Sequence, residues 1–279
     1  MPEFYKYHGA GNDFVIINNL AGKISLTKDQ VVAVCDRHYG IGADGVILVE
    51  SSKFSDCYMN YYNSDGSQGL CGNGTRCTAK FLQDNLFRDK KSFRIDTISG
   101  TKNVVSKNDG TFSVNMGKPA FSNVDFPARS MKLEDLSFNF VSVGNPHAIA
   151  FVENLDDYDL PLIGPKVENN PIFPNKINVE LVQEKSPSEF QVKVWERGSG
   201  VTLACGTGAC AVYAVVQKLK KAEPNLTIEL PGGKLFFSQN EAGETLMRGP
   251  AVFVFKGEIN NFYQNSRDVK RQNHRSSER

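Results

Sequence analysis

The 279-residue chain lacks the marks of several large protein classes. No C-x-x-C pair occurs, and the four histidines, His8, His38, His147 and His274, are too scattered to complete a zinc-ligand pattern. Apolar runs such as Cys210-Ala-Val-Tyr-Ala-Val-Val216 are far short of the roughly 18 residues a membrane span needs. Net charge is only +1, so the strong basic field of a nucleic-acid binder is missing. Neither a Walker A motif nor a G-x-S-x-G elbow is present. The opening MPEFYKYHGAG has no basic region leading into an apolar stretch, so a soluble, cytoplasmic protein is expected, with reduced thiols rather than a disulfide framework.

What is present is an ordinary globular composition, 40% hydrophobic and 23% charged. The length suits one large domain or two modest ones. Short apolar strands alternate with helical stretches. Phe14–Ile17, Gly45–Val49, Tyr58–Asn63 and Phe93–Ile98 read as strands, and Thr78–Phe87 and Ala209–Lys221 as helices. Thr27 and Gln30 form a capping box for a helix with Val31, Val34, Cys35 and His38 on one face, and Gly40 is expected to end it in a left-handed conformation. Gly40-Ile-Gly-Ala-Asp-Gly45 fits G-x-G-x-x-G, but a helix precedes it and a strand follows, the reverse of a dinucleotide fingerprint.

An internal echo is more informative. Gly11-Asn12 recurs as Gly144-Asn145, Cys71-Gly-Asn-Gly74 as Cys205-Gly-Thr-Gly208, Ile98-Ser-Gly100 as Leu230-Pro-Gly-Gly233, and Asn115-Met-Gly117 as Met247-Arg-Gly249. All four offsets lie between 132 and 134 residues. Two homologous lobes are therefore expected, joined near Lys118–Ser130. The expected ranges are 1–117 for the first lobe, 118–262 for the second and 263–279 for a polar, disordered tail.

Each cysteine tetrad precedes a helix-like segment. A thiol at a helix N-terminus sits in positive potential, which would draw its pKa toward neutrality, and the first N–H groups of the helix can hold a carboxylate. Cys71 and Cys205, one from each lobe and meeting at a single cavity, suggest a two-base inversion. One thiolate would take a proton from carbon, and the other thiol would return one to the opposite face, without a cofactor. Cys35, Cys77 and Cys210 read as small packing residues, and Cys57 carries no assigned role.

Residues 4–262 resemble the diaminopimelate epimerase family. The resemblance is carried by His8-Gly-Ala-Gly-Asn-Asp-Phe14, Asn63-Ser-Asp-Gly-Ser67, Cys71-Gly-Asn-Gly-Thr-Arg-Cys77, Gly144-Asn-Pro-His147, Trp195-Glu-Arg-Gly198, Thr202-Leu-Ala-Cys-Gly-Thr-Gly-Ala-Cys210 and Leu230-Pro-Gly-Gly233. It implies an α/β (α+β) fold of two pseudo-symmetric lobes, each a mixed β-sheet wrapped around a central helix. It also implies a cofactor-independent, metal-free epimerase converting LL-2,6-diaminopimelate to the meso form, in lysine and peptidoglycan precursor biosynthesis.

By the same resemblance Cys71 and Cys205 are the acid–base pair, with His147 assisting the thiols and Glu196 near the reacting ammonium. Gly72, Asn73, Gly206 and Thr207 hold the reacting carboxylate. Asn12, Asn63, Asn145, Asn178 and Arg197 contact substrate, Arg197 as a bidentate partner for the distal carboxylate. Some family members carry a substrate-contacting glutamine where this chain has Gly45. Phe255 corresponds to an aromatic position at the family's dimer interface, so a homodimer is expected, with no nucleic-acid or membrane partner. The competing readings are a same-fold racemase of proline, hydroxyproline or histidine, and a thiol redox sensor. The phenazine-related isomerases lack the cysteine pair.

Overall fold

Glycine-led helices and short apolar strands divide the chain into two units in a computed structural model that describes residues 2–69, 71–219 and 223–259. The polar tail expected over 263–279 lies outside the described residues.

In the first unit, β1 (Glu3–Gly9) pairs with β2 (Asn12–Asn19) and runs antiparallel to the late strand Val252–Glu258. After α1 (Lys28–Cys35) comes β3 (Gly45–Glu50), parallel to β2, then β4 (Cys57–Asn63), antiparallel to β3. After α2 (Gly72–Asn85), β5 (Ser92–Thr97) returns parallel to β4. The sheet is therefore mixed, and the strand residues Phe14–Ile17 are almost wholly buried. α2 touches β1, β3, β4, β5 and the late strand, so this sheet wraps around it.

The second unit contains the last three residues of β6 (Gly100–Ser106), then β7 (Phe112–Gly117), β8 (Ser130–Leu133), β9 (Leu136–Ser142), β10 (Pro146–Phe151), α3 (Leu160–Glu168), β11 (Asn178–Ser186), β12 (Glu189–Glu196), β13 (Gly200–Thr202), α4 (Gly206–Lys218), β14 (Leu226–Leu230), β15 (Gly233–Gln239) and β16 (Thr245–Gly249). Its pairings repeat those of the first unit. β10 and β11 are parallel, β11 and β12 antiparallel, and β12 and β14 parallel after the intervening helix. The register repeats too. Phe14 opposite Gly45 becomes His147 opposite Asn178, and Val46 opposite Tyr62 becomes Val179 opposite Trp195. α4 is buried from Gly206 to Val216 and meets strands on several sides.

The division by contacts differs from the expected ranges. It falls between Asn103 and Val104 rather than at 117/118, because β7 pairs with β16. The final strand, β17 (Val252–Glu258), joins the first unit through β1. Ala10–Asn12 groups with the second unit.

α1 also differs. Its capping box forms as expected, but the helix stops at Cys35, before His38, and Gly40 is not left-handed. The Asp36 carboxylate accepts from the backbone N–H of both His38 and Tyr39 at 2.8 Å, a local turn that outcompetes another helical turn. Gly42 takes the positive φ instead, at 77°.

An ion cluster anchors this corner of the first unit. The Asp13 carboxylate meets buried Lys6 at 2.6 Å and Arg37 at 2.8 Å, and Arg37 also reaches Asp44. Burial opposes ionisation of Asp13, but the hydrogen bonds and charges of Arg37 and Lys6 outweigh it and bring the carboxyl down to about 2. A depressed carboxyl stabilises the fold above its unfolded pKa and loses that contribution as pH falls toward the folded value. Stability is therefore expected to decline between about pH 4 and pH 2, with roughly 2 kcal/mol carried by this group. Asp13→Asn should flatten that limb and cost about 2–4 kcal/mol at neutral pH by stranding the Lys6 charge. Urea unfolding as a function of pH checks both.

Candidate active site

Cys205 is the N-cap of α4. Its backbone is extended (φ −114°, ψ 108°), and its Sγ accepts from the Gly208 N–H at 3.3 Å. The thiol also lies 3.4 Å from Thr207 Oγ1 and hydrogen-bonds the half-buried Glu196 carboxyl, which in turn accepts from Thr202 Oγ1 at 2.6 Å. Asn145 follows Gly144, whose φ of 103° favours glycine. From that turn its Nδ2 donates to Thr207 Oγ1 at 3.4 Å and its Oδ1 accepts from His147 Nε2 at 3.0 Å. The other imidazole nitrogen, Nδ1, pairs with Glu180 Oε1 at 2.7 Å, with both side chains fully buried. Gly206, Thr207, Asn145, His147, Glu196 and Cys205 are thus brought together within the second unit.

Asn178 and Arg197 adjoin this group. The Asn178 amide donates to the Pro146 carbonyl at 2.8 Å and accepts from the Arg197 backbone N–H at 2.9 Å, tying β11 to the turn after β12. Buried Glu168 fastens the same turn by accepting from Trp195 Nε1 and the Gly198 N–H. The Arg197 guanidinium is exposed and donates to the Asn175 carbonyl at 2.7 Å.

Cys71 repeats the arrangement in the first unit. It is the N-cap of α2 (φ −140°, ψ 109°), and its Sγ accepts from the Gly74 N–H at 3.3 Å. α2 therefore begins at Gly72, before the Thr78 expected from sequence, so the tetrad is itself the helix start. Gly72 is buried, and so is Asn73, whose Oδ1 accepts from Arg76 Nη2 at 2.8 Å. Asn63 is pinned between Ser67, which its Nδ2 reaches at 3.0 Å, and the Tyr61 hydroxyl, which donates to its Oδ1 at 2.8 Å. Asn12 opens β2 after Gly11, left-handed like Gly144, with φ 82°.

The space beside Gly45 is filled from the neighbouring strand. A Cβ on Gly45 would lie 2.5 Å from the Tyr61 ring and 2.5 Å from the Tyr62 carbonyl oxygen. Tyr61 thus occupies that space, and its hydroxyl orients Asn63. Sequence reasoning missed both Tyr61 and Glu180. Their signals were a glycine opposite a large aromatic, and an acidic residue inside the apolar stretch Val179-Glu-Leu-Val182.

The electrostatics correct one expectation. The helix N-terminus does not bring Cys205 toward neutrality. Burial pushes its thiol well above the ordinary value, the charges of Glu196 and Glu180 push it further, and the bonds from Thr207 and the Gly208 N–H only partly oppose them. Burial likewise lifts the Glu196 carboxyl above its usual range, against the hydrogen bonds from Thr202 and Cys205. Burial raises Cys35 to about 12, in keeping with its expected packing role, and raises Cys57 to about 12 as well. No helix among the described residues is long and apolar enough to cross a membrane.

The profile of the family described as diaminopimelate epimerase matches residues 4–122 and 139–254. Diaminopimelate epimerase 1 of a Nostoc species is 41% identical over 92% of this chain and 99% of its own length. Diaminopimelate epimerase of Carboxydothermus hydrogenoformans is 39% identical over 92% of this chain and 98% of its own. Among solved structures, a phenazine biosynthesis protein of the PhzF family from Bacillus anthracis aligns with TM-score 0.70 and 18% identity, covering 92% of this chain and 98% of that one. A hydroxyproline epimerase from Agrobacterium vitis, with bound trans-4-hydroxy-L-proline, aligns with TM-score 0.70 and 13% identity, covering 92% and 90%. At these identities the solved structures speak to the fold.

Two outcomes are expected from this geometry. Gly45→Ala should lower stability by about 1–3 kcal/mol, because its methyl meets both a ring and a backbone oxygen; denaturant midpoints read this. In the ligand-free protein at pH 8, the raised Cys205 thiol should alkylate at least about tenfold more slowly than free cysteine. Iodoacetamide labelling followed by peptide mass spectrometry measures that rate.

Proposed function

Because the chain belongs to the diaminopimelate epimerase family, we propose that it interconverts LL- and meso-2,6-diaminopimelate without a cofactor, Cys71 and Cys205 forming the acid–base pair. The observation that carries this reading is the double occurrence of one device: a cysteine capping a buried, glycine-led helix, its sulfur bonded to the third N–H beyond it. Two such thiols supply what inversion at carbon needs, a base on one face and an acid on the other. The thiolate takes the α-proton and the second thiol gives up its own, so the product carries a solvent-derived hydrogen and the pair ends with its proton on the opposite sulfur. The helix starts Gly72-Asn73 and Gly206-Thr207 hold the reacting carboxylate as charge builds on it.

His147 and Glu196 work on the Cys205 side, Glu196 touching the thiol and His147 reaching it through Asn145 and Thr207. Asn12, Asn63, Asn145 and Asn178 read the amino-acid heads. Arg197, with one N–H committed to Asn175, has further donors in its planar fork for the distal carboxylate. The chain acts as a cytoplasmic homodimer in lysine and peptidoglycan precursor synthesis. The apolar run Val252–Phe255, exposed by 42–51% on β17, supports a dimer.

The test is reduced protein with LL-diaminopimelate in D2O, without added metal or cofactor. Expected are α-proton exchange and meso product, with kcat lowered by roughly 10²–10⁴ in both Cys71→Ala and Cys205→Ala. Absence of exchange by folded, reduced wild type overturns the substrate assignment. Turnover of proline, hydroxyproline or histidine in its place would make the chain a same-fold racemase.

A further inference from the structure

The second unit holds a buried carboxyl that the reaction as proposed leaves unused. Glu180 lies on β11 with no exposure, its Oε1 on His147 Nδ1, while its Oε2 has no hydrogen-bond partner among the described residues. An orphaned, desolvated carboxyl oxygen is costly to keep. The start of α4 closes directly over it: a Cβ on Gly208 would lie 2.5 Å from Oε1 and 3.3 Å from Cys205 Sγ. Packing alone does not demand a carboxyl there. In the repeated register of the first unit, Ile47 stands at the equivalent place, its Cδ1 3.2 Å from where a Cβ on Gly74 would be.

A continuous line of contacts leaves this carboxyl. Glu180 Oε1 meets His147 Nδ1 at 2.7 Å, His147 Nε2 meets Asn145 Oδ1 at 3.0 Å, Asn145 Nδ2 meets Thr207 Oγ1 at 3.4 Å, and Thr207 Oγ1 meets Cys205 Sγ at 3.4 Å. With Nε2 donating to Asn145, the position between Nδ1 and Oε1 holds the one proton that completes the pair. We infer that Glu180 is a positioning residue: it fixes the ring and tautomer of His147 and, through that line and its own charge, sets the field in which the Cys205 thiol gains and loses a proton. The inference rests on Cys205 being a reacting thiol. The ionisable groups facing Glu180 are His147 from β10, Glu196 from β12 and Cys205 at the start of α4.

Glu180→Gln keeps the shape and removes the charge, whereas Glu180→Asp keeps the charge. The full-length protein is alkylated without substrate at pH 9 and Cys205 is followed by peptide mass spectrometry, with buried Cys57 and Cys77 as internal references. Glu180→Gln should speed Cys205 labelling about threefold or more with the references unchanged, and Glu180→Asp should return it to within about twofold of wild type. In turnover of LL-diaminopimelate, Glu180→Gln should lower kcat about tenfold or more, move the pH profile and leave KM within about threefold. Labelling and pH profile that superpose on wild type overturn the inference, as does a rise shared by all three cysteines. Should Glu180→Gln not fold, Gly208→Ala supplies the readout, since its methyl must displace the carboxyl; unchanged Cys205 labelling then counts against the role. Wild type inactive on diaminopimelate but with the selective Cys205 response would sink the substrate assignment and support the Glu180 linkage.

Discussion

A helix that begins inside a hydrophobic core has N–H groups with no carbonyl to receive them and no water to take its place. The first turns of α2 and α4 are both buried, and both use a cysteine sulfur as an acceptor for the third N–H, Cys71 partly exposed and Cys205 buried. Sulfur is large, polarisable and tolerant of burial, so it can close the helix start where a buried carboxylate would cost far more. The glycines that follow let neighbouring strands approach the first turn: Ile47 presses on Gly74, and Glu180 on Gly208. Burial of the helix, the small residues at its start and the place of the thiol are one constraint seen three ways.

The two units share that backbone solution but fill it with different chemistry. In repeated register, Phe14 of the first corresponds to His147 of the second, Ile47 to Glu180 and Gly45 to Asn178. The first unit places Phe14 and Ile47 at those register positions, with Ile47 against the start of α2. The polar half links Cys205 to an imidazole and two carboxyls. A duplicated scaffold thus presents two thiols with the same capping bond, 3.3 Å from sulfur to the third N–H, beside different neighbours.

Much of this was legible in the sequence, for identifiable reasons. Constant offsets between Gly11-Asn12 and Gly144-Asn145, and between the cysteine tetrads, survive because backbone turns and close approaches demand glycine wherever the scaffold repeats. The Thr27–Gln30 capping box was legible because it is a local hydrogen-bond exchange. Three things were not. The end of α1 was decided by one carboxylate, Asp36, competing for two N–H groups, where pattern alone favoured another turn. The return of β17 to the first unit is a long-range pairing with β1 that no local signal announces. The upward shift of Cys205 follows from burial beside Glu180 and Glu196, which only three-dimensional packing reveals.

That shift bears on how the proposed chemistry can run in both directions. A thiol held protonated by burial and nearby carboxylates is a poor acid toward water, but the reaction asks it to protonate a carbanion, a far stronger base. In the reverse direction the thiolate formed in the same surroundings is a correspondingly strong base, which narrows the gap to the weakly acidic α-carbon. A thiol tuned to neutrality would be an easier anion and a weaker base. The desolvation that raises the Cys205 thiol is therefore the property that would make its anion effective, provided that substrate and the helix N–H groups share the charge while it exists.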